Sequence, residues 1–350
     1  MKSSCIRFRT LLVLSSLFIV MATGFSGCGG SSRKGELRLL NVSYDPTREF
    51  YREYNQLFAE HWKEVKGQTV TIEQSHGGSG KQARSVIDGL EADVVTLATA
   101  SDIDAIAART DLLPVQWQSR LPENSCPYYS TMVFVVRKGN PKNIHDWSDL
   151  IRDDVQVITP NPKTSGAARW SYLAAWSWAA SAYSGDTTRI LSYMEAFYKN
   201  VPVLDSGARG ASNTFTQTGI GDVLINWENE AFLLVQDVGE DKYELVVPSV
   251  SILAEPPVAL IDANADRHGV REIADEYLKY LYSADAQKLA GRHHYRPRSP
   301  EAFALFSKKF PELKLITINE FGGWTKAQVE HFNDNGFFDS IMAVVQGRKR

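Results

Sequence analysis

Four short segments of the sequence share one design, in which a turn-forming residue and small residues precede the start of a predicted helix. They lie at residues 43–48, 75–82, 160–170 and 205–210. Glycine lets a backbone approach a ligand closely, and the unpaired N–H groups of a helix start attract an anion. Any one of these segments is also typical of an ordinary turn. The four together predict an anion site built mainly from backbone donors.

The residues of the first two segments are compatible both with an anion site and with an ordinary turn. Asp45 is a natural N-cap, so we expect its side chain to cap the helix that follows. Segment 75–82 places Ser79 among glycines, which favours a nest of N–H groups around an anion, although a plain glycine-rich turn stays open. A phosphate-binding Walker loop is excluded, because Ser75 replaces its first glycine and Gln82 replaces the Ser or Thr that would hold magnesium.

Enzymatic chemistry finds little support in the residues. Hydrolysis of sulfate or phosphate esters needs a nucleophile with a base, or a metal. Cys126-Pro127 lacks the Cys/Ser-x-Pro-x-Arg spacing of sulfatases, and the segment of Ser165 contains no histidine, although a distant one stays open. His293 and His294 are adjacent and do not share a face, and no Cys/His spacing is typical of zinc. We therefore predict a binding protein that is not an enzyme, with no metal and no cofactor.

The N-terminus predicts export. Lys2, Arg7 and Arg9 precede an apolar run at 11–22, which is shorter than the roughly 20 residues of a membrane span and suits a signal peptide. Small residues before Cys28 and a polar stretch after it resemble a bacterial lipobox, so Cys28 is the predicted lipid anchor. The alternative is a secretory peptide cleaved nearby, which leaves Cys28 as a spare thiol. A phenylalanine stands where the lipobox usually has leucine, which keeps this alternative open.

The charge of the chain limits its partners. The formal net charge is −3, and removal of Lys2, Arg7 and Arg9 with the signal peptide leaves the mature chain at −6. Nucleic-acid binding would need a basic surplus, so we expect no nucleic-acid partner. Cys126 is the one cysteine besides Cys5 and Cys28, so no intrachain disulfide is expected after processing. Any bound anion must be held by local geometry.

Alternating strand and helix patterns indicate an α/β fold. Residues 37–42 and 70–74 predict strands, and 46–62 predicts a helix with one apolar face. Apolar strands between helices favour mostly parallel sheets that are buried on both faces. Runs rich in β-formers at 131–137 and 245–261 interrupt this alternation. A second set of α/β signals lies between these runs, so we interpret the chain as two α/β lobes joined by two crossings, with the first lobe discontinuous in sequence.

The predicted organisation has five parts. They are a lipoprotein signal peptide at 1–27, a flexible tether at 28–35, lobe 1 at 36–126 together with 250–320, lobe 2 at 127–249, and a C-terminal tail packed on the lobes at 321–350.

Long stretches of the chain resemble one known family. Residues 39–48, 74–82, 158–170, 205–210 and 220–230 closely resemble the bacterial periplasmic sulfate-binding proteins, the extracellular solute-binding components of ABC sulfate/thiosulfate transporters. The likeness extends over nearly the whole mature chain. It implies a two-lobed periplasmic-binding-protein fold of type II, with a mostly parallel sheet flanked by helices in each lobe and two hinge crossings.

The resemblance also implies a site between the lobes, where backbone N–H groups, one serine hydroxyl and one indole N–H hold a dehydrated sulfate. Matched position by position, the ligand-binding residues are Asp45, Ser79, Ser165, Gly166, Ala167, Ala208 and Trp227. An indole N–H is a donor only, which suits an anion that offers acceptors alone. Ala167 stands where the family pattern has a second glycine, which puts a close steric fit there in doubt. We expect Arg48 and Arg209 to neutralise carboxylates or brace the loops without touching the anion.

The implied function is a monomeric receptor in the periplasm, attached to the membrane through its lipid alone. It captures sulfate, with thiosulfate as an open alternative, and delivers it to the permease subunits of an ABC transporter. Monohydrogen phosphate carries a proton that a pocket of donors cannot accept, unless the Asp45 carboxylate turns inward. Another tetrahedral oxyanion such as phosphate or molybdate is the second hypothesis, and an ester hydrolase is a remote third.

Overall fold

The computed structural model describes residues 36–239 and 241–347, so the predicted signal peptide, the tether and Cys28 lie outside the described residues. Strands and helices alternate from the start. The first elements are β1 (Glu36–Tyr44), α1 (Arg48–Lys66), β2 (Thr69–Gly77), α2 (Ser79–Ile87), β3 (Val94–Thr96), α3 (Ala100–Arg109), the single turn α4 (Pro122–Ser125) and β4 (Tyr128–Tyr129).

The rest of the chain continues the α/β pattern and ends in helices. The middle elements are β5 (Met132–Arg137), β6 (Val157–Ile158), α5 (Gly166–Ala182), α6 (Thr187–Lys199), α7 (Ala208–Gln217), β7 (Val223–Trp227), α8 (Glu228–Val238) and β8 (Tyr243–Val246). The last elements are β9 (Ser251–Ile252), β10 (Val258–Leu260), α9 (Asp262–His268), α10 (Arg271–Tyr280), α11 (Ala284–Arg292), β11 (Arg296–Pro297), α12 (Pro300–Phe306), β12 (Leu315–Ile316), α13 (Gly323–Ala327) and α14 (Phe337–Val345).

The sheet of the first lobe has the strand order β10-β3-β1-β2. β1 runs parallel to both β2 and β3, and β10 is antiparallel to β3. The predicted apolar face of α1 is buried. Tyr54 and Phe58 pack against Tyr277 of α10, with ring centroids 5.0 and 5.1 Å away, and Phe50 belongs to the same cluster. Burying aromatic side chains on this scale is a major stabilising contribution to the first lobe.

The sheet of the second lobe has the order β6-β7-β5-β8. β6 and β7 are parallel, but β5 is antiparallel to both β7 and β8. The expectation of a mostly parallel sheet therefore holds for the first lobe and is wrong for this one. β5 is inserted between two strands that run the other way. Its sequence is apolar because both of its faces are buried, and that pattern carries no information on direction.

The two sheets are connected by neighbouring crossings. Ser130, between β4 and β5, and Ala254, between β9 and β10, form a reciprocal backbone pair with N···O distances of 2.9 and 3.0 Å. Next to this pair, Glu123 and Asn124 of the turn α4 have left-handed backbone angles, with φ of 54° and 55°. The chain passes between the lobes again after β11, because β12 pairs with β9 and α14 packs against α6.

Candidate functional site

The four segments singled out from the sequence converge between the lobes. A side chain at Gly78 of the first lobe would place its Cβ 2.8 Å from the carbonyl oxygen of Thr164 and 2.9 Å from that of Ser206, both in the second lobe. At Gly166 the added Cβ would lie 2.4 Å from the Cβ of Ala98. Only glycine permits such close approach of two backbones. The lobes are therefore closed upon each other at these loops.

Three helix starts supply backbone donors at this point. α2 and α7 begin at Ser79 and Ala208 without a side-chain cap, and α5 begins after Ser165. The first N–H groups of a helix have no acceptor within the helix, and together they carry about half a positive charge. Ser79, Ala208, Gly166 and Ala167, all predicted from the sequence, occupy these positions and are buried. The arrangement can hold a negative charge without a cationic side chain.

The two predicted serines differ in what their hydroxyls are free to do. The Ser79 hydroxyl donates to Oδ2 of Asp102 at 2.5 Å and accepts from the Ala98 N–H at 2.9 Å, so only its backbone N–H remains for a ligand. The Ser165 oxygen accepts a long bond of 3.5 Å from the Ala168 N–H. No acceptor for the Ser165 proton occurs among residues 36–239 and 241–347, so this hydroxyl can donate into the site.

Trp227 is the most informative side chain of the site. It ends β7, is 0% exposed, and lies with its ring centroid 5.5 Å from that of Tyr44 at the end of β1. Its indole Nε1 has no hydrogen-bond partner within the part of the chain that the structure describes. A buried donor left unpaired costs about 1–3 kcal/mol. This donor therefore indicates a ligand that accepts a hydrogen bond.

Asp45 lies at the site, but its carboxylate does not act as predicted. The short 3₁₀ turn Asp45–Thr47 begins one residue early, so Tyr44 is the N-cap and its side chain makes no capping bond. The expectation that Asp45 caps its own helix is wrong for this reason. Its Oδ1 instead accepts from Nη2 of Arg48 at 3.1 Å. This ion pair occupies one carboxylate oxygen, and the backbone N–H is the donor that Asp45 can offer.

A buried ion pair between the lobes was missed by sequence reasoning. Arg169 of α5 donates from Nη1 to Oδ1 of Asp102 on α3 at 2.7 Å, and both side chains are buried. Asp102 also accepts from Ser79 and from the Thr99 hydroxyl at 2.9 Å. The pair thus connects the start of α2 in one lobe with the first turn of α5 in the other. No local pattern in the sequence relates two residues that lie 67 positions apart.

Arg209 neutralises carboxylates, as expected from the sequence. Its Nη2 lies 3.1 Å from Oε2 of Glu49 on α1 and 3.8 Å from Oε1 of Glu230 on α8. Burial raises the pKa of Glu230 to about 7, although Arg209 opposes this rise. Burial, with Arg48 and Arg209 nearby, lowers the pKa of His76 to about 4, so this histidine is neutral at neutral pH. Arg209 is thus engaged by carboxylates, and His76 adds no charge at neutral pH.

A two-lobed α/β fold with helix starts at the contact between its lobes is typical of a solute-binding protein. The family model for bacterial extracellular solute-binding proteins matches residues 39–296, and the chain belongs to that family. Within the described residues, no helix combines the length and the apolar character that crossing a membrane requires.

Individual relatives show which solute-binding proteins this chain is similar to. The sulfate-binding protein of Escherichia coli is 59% identical over 307 residues, which cover 87% of this chain and 93% of that protein. The thiosulfate-binding protein of Pseudomonas aeruginosa is 48% identical over 323 residues, covering 92% and 96%. The solved structure of the sulfate-binding protein SubI from Mycobacterium tuberculosis matches with a TM-score of 0.75 and 30% identity, covering 85% of this chain and 100% of that one. These relatives confirm the resemblance and the fold class predicted from the sequence.

Proposed function

We propose that this protein is the extracytoplasmic receptor of a sulfate uptake system, and that it encloses sulfate between its lobes. The observation that carries the proposal is the buried, unpartnered indole N–H of Trp227, whose ring lies 5.5 Å from that of Tyr44, the residue before Asp45. The proposed ligands are the backbone N–H groups of Asp45, Ser79, Gly166, Ala167 and Ala208, the Ser165 hydroxyl and the Trp227 indole. The sulfate-binding relatives support this choice of ligand.

The donor set favours an anion without a proton. Every proposed contact is a donor, and Oδ1 of the Asp45 carboxylate already accepts from Arg48. Monohydrogen phosphate would bring a proton that meets donors instead of an acceptor, which costs on the order of 1–3 kcal/mol in a dry site. Thiosulfate and molybdate carry no such proton. Thiosulfate is the second candidate, because a thiosulfate-binding protein is 48% identical to this chain.

The role of the protein follows from binding without chemical change. Sulfate closes the lobes about their crossings, two of which meet at the Ser130–Ala254 backbone pair, and the closed form is what the ABC permease recognises. The receptor acts as a monomer in the periplasm and catalyses no reaction. Its lipid anchor at Cys28 and the domain limits predicted from the sequence are part of this proposal.

Calorimetry on protein stripped of ligand tests the proposal. Sulfate is expected to bind as a single site per chain, thiosulfate to bind as well or more weakly, and phosphate near neutral pH to bind at least about tenfold more weakly, from a penalty of about 1.4 kcal/mol. Absence of sulfate binding at millimolar concentration would refute the function. Tight binding of molybdate or phosphate with weak sulfate binding would assign the receptor to that other oxyanion.

Anchoring needs a separate experiment, because it does not depend on the ligand. Cys28→Ser is expected to move the protein from the membrane fraction to the soluble fraction of the producing cells, with sulfate binding unchanged. The matched control is Cys126→Ser, since Cys126 is buried in the folded protein and takes no part in anchoring. If Cys28→Ser stays with the membrane, the lipid anchor is disproved and the sulfate function is untouched.

A further inference from the structure

The C-terminal segment, defined here as residues 323–345, packs along the helix that opens at the anion site. The ring of Trp324 lies edge-on to Trp170 of α5, with centroids 4.6 Å apart, and Phe337 lies 5.0 Å from Trp176. His331 contacts the Tyr172 hydroxyl at 3.2 Å. The segment is therefore a neighbour of the site's central helix over several turns.

Lys163 ties this segment to the loop that carries Ser165. Its ammonium donates to the carbonyl oxygens of Phe332 at 3.0 Å and Asn333 at 3.2 Å, and to Oδ2 of Asp339 at 2.9 Å. An ammonium has three N–H donors, and here all three have acceptors. The side chain is 28% exposed, so the contact is held mostly inside the protein.

The acceptors on the segment belong to an unusual turn. Gln328–Phe332 forms a π-helical turn, closed by a bond of 2.8 Å from the Asn333 N–H to the Gln328 carbonyl. Turns of this kind recur at functional sites, and the carbonyl end of a helix favours a cation. The ammonium of Lys163 lies at that end. This end of the turn presents two carbonyl oxygens to one lysine.

The other end of Lys163 is built into the turn that positions Ser165. The backbone N–H of Lys163 bonds Oδ1 of Asn161 at 2.9 Å. The N–H groups of Thr164 and Ser165 both bond the Asn161 carbonyl, at 3.0 and 2.9 Å. The backbone of Lys163 is therefore part of a hydrogen-bonded turn that includes Ser165 and precedes the first donors of α5.

We infer that Lys163 is a positioning residue of the anion site, through which the C-terminal segment holds the Ser165 loop in its ligand-ready geometry. The inference rests on the proposed function, because it concerns the same site. A loop ordered before binding loses less conformational freedom when the ligand arrives, so the brace increases affinity without touching the anion. Its loss acts mainly on ligand release, as is usual for changes within one binding site.

The test is Lys163→Met, compared with the wild type by calorimetry and by stopped-flow kinetics with sulfate. Sulfate is expected to bind about tenfold more weakly, mostly through faster release. Lys163→Arg restores most of the affinity, because a guanidinium still reaches the carbonyls and Asp339. The matched control is Lys326→Met in the same segment, where Lys326 lies 3.6 Å from Glu330 and does not contact the loop. This control keeps the wild-type affinity.

A double-mutant cycle separates positioning from general stability. Asp339→Asn alone is expected to weaken sulfate binding, and adding it to Lys163→Met causes little further loss, because Lys163→Met has already removed the Lys163–Asp339 contact. Unchanged sulfate affinity in Lys163→Met, with or without a lower Tm, overturns the inference while the proposed function stands. Failure of the wild type to bind sulfate refutes the proposed function, and the inference falls with it.

Discussion

Replacing Trp227 by phenylalanine removes one hydrogen-bond donor from the proposed site and keeps an aromatic ring. The indole N–H has no partner among the described residues, so the replacement breaks no hydrogen bond within them. The smaller ring keeps part of the packing against Tyr44, whose centroid is 5.5 Å away. The variant is therefore expected to fold, with a loss of stability on the order of 1 kcal/mol.

The expected loss of sulfate affinity is larger than this loss of stability. A hydrogen bond to a charged group contributes about 1.5–3 kcal/mol. We expect the hydrogen bond from Trp227 to sulfate to contribute this much because the site is dry. Since about 1.4 kcal/mol corresponds to tenfold in Kd, sulfate should bind about 10–100-fold more weakly. At saturating sulfate, the ligand-induced stabilisation should shrink by the same 1.5–3 kcal/mol or so, because it follows the logarithm of ligand concentration over Kd.

Calorimetry and thermal unfolding, each with and without sulfate, measure the two effects on the same sample. Trp178→Phe is the matched control, because Trp178 is half-buried against Tyr193, with ring centroids 5.0 Å apart, and lies outside the four loops. The control should lose no affinity. A Trp227→Phe protein that folds and binds sulfate as tightly as the wild type would remove Trp227 from the site and refute the reasoning from its unpaired donor.

Two further predictions concern the charged groups around the site. Arg169→Met leaves the Asp102 carboxylate unpaired in the closed form, so sulfate binding should weaken by about 10–100-fold, from a contribution of about 1.5–3 kcal/mol. Adding Asp102→Asn to Arg169→Met should restore part of the lost sulfate affinity, because it removes the unpaired charge. If calorimetry shows that the affinity losses of the two replacements simply add, the two residues are not coupled. Burial raises the pKa of Glu230 from 4.5 to about 7, so the folded state holds this proton more tightly than the unfolded state. Wild-type stability should therefore fall as pH rises from about 4.5 to 7, relative to Glu230→Gln. The variant should be the more stable protein at pH 8 by up to roughly 3 kcal/mol, with the difference shrinking towards pH 5. Urea unfolding at both pH values measures it, and a pH-independent difference would count against the raised pKa.

Sequence patterns predicted the elements that depend on neighbouring residues. The helix α1 has its apolar face where the spacing of Phe50, Tyr54 and Phe58 placed it. The small residues of the loops indicated where a backbone could approach a ligand, and Gly78 and Gly166 are indeed in close contact with the opposite lobe. The direction of β5 could not be predicted, since an apolar run is compatible with either direction.

The sequence by itself determined the class of protein and the chemical type of its donors: helix starts rich in small residues, one serine at the start of α5, and an indole at the end of β7. The tertiary structure alone decided which of these donors are free. It engages the Ser79 hydroxyl with Asp102, pairs Asp45 with Arg48, and leaves the Trp227 N–H unpartnered within the described residues. The physical reason is that a donor is free or engaged according to which acceptors the fold brings near it. For Ser79 that acceptor lies 23 residues away along the chain, beyond the reach of any local pattern.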